Sequence, residues 1–247
     1  ADNIDALLKQ DCNVITTVGF LLGDATLAAA KKNKDVDFSI VDFAYFDDKG
    51  NNIAPKNLKG LTFDTAEPSY LAGYLAAGVS ETGIVGTFGG AQIPTVTAFM
   101  DGFQQGVAKY NEDNSADVQV VGWDQKTQKG TFTNDFESKT KGASAAKEMI
   151  TQGADIIFPV AGPAGLGALQ AVQDEKLKAI WVDTDGCVSA AEYCDVLLTS
   201  VVKGMDVVVH LAFVIMGAGD EMPDALRQLG LEGTPSRGQV RLAASTA

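Results

Sequence analysis

The sequence predicts an α/β fold on a parallel sheet. Short apolar runs alternate with amphipathic helical stretches over most of the chain, the pattern that βα units impose. Glycine-bearing junctions, Gly86-Thr87-Phe88-Gly89-Gly90 and Gly162-Pro163-Ala164-Gly165-Leu166-Gly167, follow apolar runs directly, as tight strand-to-helix turns do. Two late apolar runs end in charge: residues 179–182 run into Asp183 and Asp185, and residues 196–202 run into Lys203.

In order, residues 12–20 read as a strand and 25–32 as a helix, with Asp24 a natural N-cap between them. Strands follow at 38–43 and 58–63. Pro68 opens a helix that runs to about Val79, a position where proline is well tolerated. A strand at 83–88, a helix at 95–110 and a strand at 118–123 come next. After a polar, aromatic-bearing loop (Phe132-Thr133-Asn134-Asp135-Phe136) the pattern gives a helix at 142–151, a strand at 154–160 and a helix at 165–173. The strands 179–182 and 196–202 and a helix at 205–216 complete the series, and the tail beyond Gly217 is weakly patterned. A fresh strand after a long helix places a domain joint at Glu81–Gly83, giving a first lobe over 1–81, a second over 82–195, and a return to the first lobe with the tail over 196–247.

Composition narrows the function. With 19 Lys+Arg against 32 Asp+Glu the formal charge is -13, which argues against a nucleic-acid surface, since phosphate binding needs a basic stripe. No apolar run reaches the length of a membrane span. The single histidine, His210, lies in an apolar run, and no Cys/His spacing resembles a zinc site, so neither a metal nor another cofactor is expected. Cys187 and Cys194 are close enough for a local bridge but could equally be thiols; Cys12 reads as a small core residue.

In an open α/β sheet, ligands sit beyond the carboxyl ends of the strands. Two carboxylates, Asp183 and Asp185, at one such end and the Lys203 ammonium at the next suit a polyhydroxylated ligand, because carboxylates accept hydroxyl hydrogen bonds and a lysine orients them. Singly, each acid could be a loop cap and Lys203 a solvated charge; as a set they point to binding. An aromatic of the Phe132–Phe136 loop could serve as a stacking platform, worth on the order of 1–3 kcal/mol per base, or equally as a hydrophobe that anchors the loop. The glycine loops lack the Lys-Ser/Thr of a phosphate loop and the full dinucleotide spacing. Catalysis is poorly supported, with no G-x-S-x-G elbow and no Cys–His pairing.

Taken in order, VGFLLGDA, IVGTFGG with DGFQQGV, NDFESKTKG, GADIIFPVAGPAGLG and VDTDGCVSAAEYCDVLLTSVVKGMD make the chain resemble the basic membrane protein family of substrate-binding lipoproteins, which includes purine nucleoside receptors. The resemblance spans about Asp11 to Met216. It implies a type I periplasmic binding protein fold, two doubly wound parallel-sheet lobes that close on a ligand in the interlobe cleft. It also implies a non-enzymatic receptor, lipid-anchored at the periplasmic or cell-surface side, that passes a purine nucleoside or base to an ABC transporter permease. By the same resemblance, Asp24 matches the acid of the GFxxGD segment, Phe136 the aromatic that packs on the base, and Gly162 the loop glycine near the ligand. Asp183 matches the ribose-binding acid, Lys203 the lysine of the TSxxK segment, and Asp185 is a further candidate. The family pattern opens with a strand and a DKSFN-type loop that supply the opposing aromatic, and this sequence starts after them, so the first lobe is expected to lack its N-terminal strand. The lipid anchor is likewise expected outside this chain. Two other functions compete: a ligand-sensing domain of a regulator with the same fold, and a nucleoside hydrolase using Asp183 and Asp185.

Overall fold

The computed structural model describes residues 2–47, 49–205 and 240–244, and the chain packs as two compact units. One comprises residues 1–63 with 204–239, the other 64–203 with 240–247. The division falls ahead of the joint expected at Glu81–Gly83, because the helix before that point packs with the elements that follow it. The helix expected over 205–216, with His210, lies outside the described residues from position 206 on, as does most of the tail.

The first unit begins with α1 (Asp2–Leu8), whose first turn carries Asp2 and Asp5 where the helix dipole favours acids, and whose Ile4 is buried. Strands β1 (Val14–Val18), β2 (Asp37–Val41) and β3 (Leu58–Leu61) form a parallel sheet in that order. Helix α2 (Gly23–Lys32) follows β1 and packs on the sheet around Ile15, Ala30, Phe38 and Ile40. Cys12 lies before β1 and is half-buried rather than part of the strand.

The second unit is a three-layer sandwich. Its sheet runs β11-β10-β9-β8-β4-β5, from β4 (Ile84–Gly89), β5 (Gln119–Val121), β8 (Ile156–Val160), β9 (Lys178–Asp183), β10 (Leu197–Lys203) and β11 (Val240–Ala244). All neighbours are parallel except β10 and β11. Helices α3 (Ala66–Val79) and α4 (Pro94–Asn114) cover one face; α5 (Lys139–Thr151) and α6 (Gly165–Asp174) cover the other. Every residue of β8 is buried, with Ile156 and Phe158 in one apolar layer and Ile157 in the opposite one. That two-sided burial is why its sequence reads as a continuous apolar run rather than an alternating one.

The expected strand at 118–123 is shorter. Gly122 has φ 85, the extended run stops at Val121, and β6 (Trp123–Asp124) instead pairs antiparallel with β7 (Lys129–Gly130). The helix expected from Gly142 begins earlier, at Lys139, because the Ser138 side chain caps it.

Candidate functional site

The second sheet reverses its order between β4 and β8. Ordered β5-β4-β8-β9-β10, it has the 2-1-3-4-5 arrangement of a doubly wound sheet, whose ligand crevice lies at the reversal, outside the carboxyl ends of the strands. Gly89 and Gly90 leave β4 at that point and Gly162 follows β8, joined by the Gly90 N–H donating to the Val160 carbonyl at 2.9 Å.

The aromatic loop is stitched across this switch point. Thr133 N–H donates to Gly89 O (3.0 Å), Asp135 N–H to Gly90 O (3.1 Å), and Ala164 N–H to Phe136 O (2.8 Å). The Phe136 ring lies against the Cα of Gly90 and a side chain at that position would occupy the ring's place; Phe132 sits likewise on Gly89, where an added Cβ would lie 2.7 Å from its Cε1. Asp135 anchors the loop from the far side. Its carboxylate accepts from the N–H groups of Glu137 (2.7 Å) and Ser138 (2.9 Å) and from Lys141 Nζ (3.2 Å), and these bonds, the one from Glu137 foremost, hold its carboxyl below the usual carboxylate range. Gly162 has φ 53, a backbone state glycine adopts without a Cβ penalty, and a Cβ added there would stand at ordinary contact distance, 3.7 Å, from Phe136 Cδ1.

On the next two strands, β9 and β10, stands the charged pair. Asp183, last residue of β9, has φ 68 and is the centre of a three-residue turn closed by Thr184 N–H to Val182 O at 2.7 Å. Turns of that hand are rare and strained, and such strain gathers at ligand sites. Lys203 ends β10 one residue past the Val202–Asp183 pairing, and its Nζ lies 2.9 Å from Asp183 Oδ1. The pair is buried unequally: the lysine side chain is 5% exposed and the aspartate 37%. A desolvated ammonium behind a water-facing carboxylate can hold neighbouring hydroxyl groups, with the acid accepting and the lysine donating.

The remaining candidates are placed differently. Asp185 is the N-cap of α7 (Gly186–Ser189), its carboxylate accepting from Cys187 N–H at 2.9 Å. The following 3-10 turn (Ala191–Val196) is tied back to α7 by a disulfide between Cys187 and Cys194, settling the two alternatives left by the sequence. Asp24 is not the N-cap expected of it. Helix α2 starts one residue earlier, at Gly23, so Asp24 lies exposed in the first turn on the carboxyl edge of the first sheet. Beside it the Tyr45 hydroxyl donates to Gly23 O at 2.8 Å, and burial first, then the Asp24 charge, push the Tyr45 phenol up to about 12. The second unit thus brings Phe136, Gly162, Asp183, Asp185 and Lys203 to one edge of one sheet; Asp24 belongs to the other unit.

Three features escaped the sequence reading. Phe132 joins Phe136 at the switch point, and its place in the same short loop was the available signal. Phe99 of α4 lies under Lys203, Nζ standing 5.2 Å from the ring centroid; a phenylalanine at helical spacing from Phe103 gives no sign of this. Asp42 follows β2 with φ 63, much as Asp183 ends β9 with φ 68, and the shared Val-Asp ending was visible in the sequence. Among the described residues no group of His, Cys, Asp and Glu could hold a metal ion, and no helix is long and apolar enough to cross a membrane.

A doubly wound unit with its loops gathered on the carboxyl edge defines the class: this is the type I periplasmic binding protein fold. An ABC transporter solute-binding protein from Aeropyrum pernix shares it at a TM-score of 0.72 and 20% identity over 94% of this chain and 69% of that one. So does a transcriptional activator of the comK gene from Bacillus halodurans, at a TM-score of 0.69 and 18% identity, over 100% of this chain and 76% of that one. The fold therefore serves both receptors and regulators. Sequence makes the finer assignment. The chain belongs to the PnrA-like family of ABC transporter substrate-binding proteins, whose model matches residues 1–225. Basic membrane protein B of Borrelia garinii subsp. bavariensis is 33% identical over 172 residues, 70% of this chain and 46% of that protein. The chain spans about half the length of the curated relatives it first matches. The family is one of substrate-binding proteins rather than enzymes.

Proposed function

We propose that this protein is an extracytoplasmic receptor, lipid-anchored at the membrane, that captures a purine nucleoside and delivers it to an ABC importer. The observation that carries the reading is the Asp183–Lys203 pair, a buried ammonium behind a half-exposed carboxylate on the same sheet edge as Phe136. In this reading Asp183 accepts hydrogen bonds from the ribose 2′- and 3′-hydroxyls and Lys203 donates to their oxygens. The base stacks on Phe136, and Gly162 keeps the approach to it open. Asp24, exposed on the carboxyl edge of the first sheet, is a further acid this reading offers for a polar ligand. Asp185 acts indirectly, by capping the short helix that follows Asp183. The protein binds and releases its cargo unchanged, and Asp185 already spends an oxygen on its cap.

Titration calorimetry with adenosine, guanosine, inosine, uridine, adenine and ribose tests the proposal, with Asp183→Ala run alongside. One-to-one binding of purine nucleosides, lost in the variant, is the expected outcome. Silence across the panel would overturn the nucleoside reading. Release of free base during the titration would instead favour a hydrolase.

A further inference from the structure

The lysine of the charged pair is held from behind by a ring that no ligand would touch. Lys203 Nζ lies 5.2 Å from the centroid of Phe99, within the roughly 6 Å over which an aromatic face attracts an ammonium. The ring is 1% exposed and fixed in its turn by Phe158 of β8, at 6.3 Å and an interplanar angle of 62°. Lys203 is therefore bracketed by the negative face of Phe99 and, 2.9 Å away, by the Asp183 carboxylate. The layer around position 99 mixes aliphatic residues (Val160, Val182, Val201) with aromatic ones (Phe103, Phe158), so burial alone does not call for a ring at that position. What an aliphatic side chain would lack is a π face for a charge that has left water.

We propose that Phe99 is a positioning residue for Lys203, its ring face fixing the ammonium against Asp183 and thereby setting the preference of the site for ligands with vicinal hydroxyls. The proposal rests on the nucleoside reading only for the identity of the ligand. The bracket itself is a property of the protein alone. A flexible lysine with no such backing would sample several rotamers, and the order imposed on binding would be charged against each hydroxyl contact.

Two variants and two readouts test it. Phe99→Leu removes the ring. Pentafluorophenylalanine at position 99 keeps the ring's outline and reverses its quadrupole, so it holds the fold in place should the leucine variant destabilise the core. The first readout is nitrogen-15 NMR of the lysine ammonium groups without ligand. Lys203 is expected to give a sharp, ring-shifted signal protected from exchange in the unmodified protein, which broadens in both variants. The second is calorimetry with guanosine against 2′,3′-dideoxyguanosine. The preference for the ribonucleoside is expected to fall roughly ten-fold in both variants, while affinity for the dideoxy compound stays within two-fold, as loss of one desolvated cation–π contact implies. An unchanged Lys203 signal and unchanged preference in the fluorinated variant would overturn the proposal. If the unmodified protein binds neither nucleoside, the nucleoside reading fails and the ammonium signal alone decides for or against Phe99.

Discussion

The two sheets end in similar residues and organise them differently. In the first unit the strands run β1-β2-β3 in chain order, with no reversal among the described residues, and the edge carries Asp24 in a helix turn and Asp42 after β2. In the second, the order reverses between β4 and β8, and the aromatic loop is bonded by its backbone to both strands at that reversal. An acid at a strand end is common to both; an aromatic loop fixed by its backbone, with a buried lysine paired to the strand-end acid, is found in the second. The comparison teaches that the end of a strand offers a place for a ligand, while the reversal of strand order supplies the room and the flanking loops to recognise one.

The largest effect is expected from Lys203→Met. Because Asp183 is more than a third exposed, water takes over the abandoned carboxylate, and an apolar side chain suits the space beside Phe99. Stability in urea should therefore hold or rise, whereas nucleoside affinity should drop roughly 100-fold, as for loss of one charged hydrogen-bond donor to the ligand. A parallel loss of both would reduce Lys203 to a structural residue.

Next in size is the disulfide. Replacing Cys187 and Cys194 by serine frees a short loop, for which the chain-entropy relation gives a loss of about 2.5 kcal/mol. Denaturant unfolding in the absence and presence of a reductant measures it, and the double variant should be indifferent to the reductant. Gly90→Ala probes the platform itself: the new methyl takes the place of the Phe136 ring, and nucleoside affinity is expected to fall roughly ten-fold while ribose binding, if detectable, is unaltered. An unchanged affinity would remove Phe136 from the base.

The smallest effect belongs to the first unit. The neutral Tyr45 phenol is favoured by the fold, so its contribution to stability is complete below the ordinary value of 10.0 and is lost as pH rises toward about 12. Unfolding free energies measured across that window should decline in the unmodified protein and decline less in Tyr45→Phe. Nucleoside affinity at neutral pH should be the same in both.

Much of this organisation was legible in the sequence, for stated physical reasons. The β8 segment, buried on both faces, could only be written as an unbroken apolar run, and the acids and lysine at the ends of β9 and β10 announced a charged carboxyl edge. What could not be read depended on three-dimensional neighbours. Lys203 looks like any solvated charge until β9 places Asp183 beside it and α4 places Phe99 beneath it. Asp24 looks like an N-cap because cap preference is a matter of one residue, and the helix start at Gly23 moved it into the first turn. The strand expected through Trp123 was cut by Gly122, whose positive φ bends the chain into the β6–β7 hairpin. The α1 helix was missed because its seven residues offer too few apolar positions for a period to show.

The most direct test of the account is a crystal structure of the protein with a bound purine nucleoside. The account predicts both ribose hydroxyls within hydrogen-bonding distance of Asp183 and Lys203, and the base lying flat on Phe136. A nucleoside whose hydroxyls touch neither residue, or a base lodged away from the β4–β8 reversal, would contradict it.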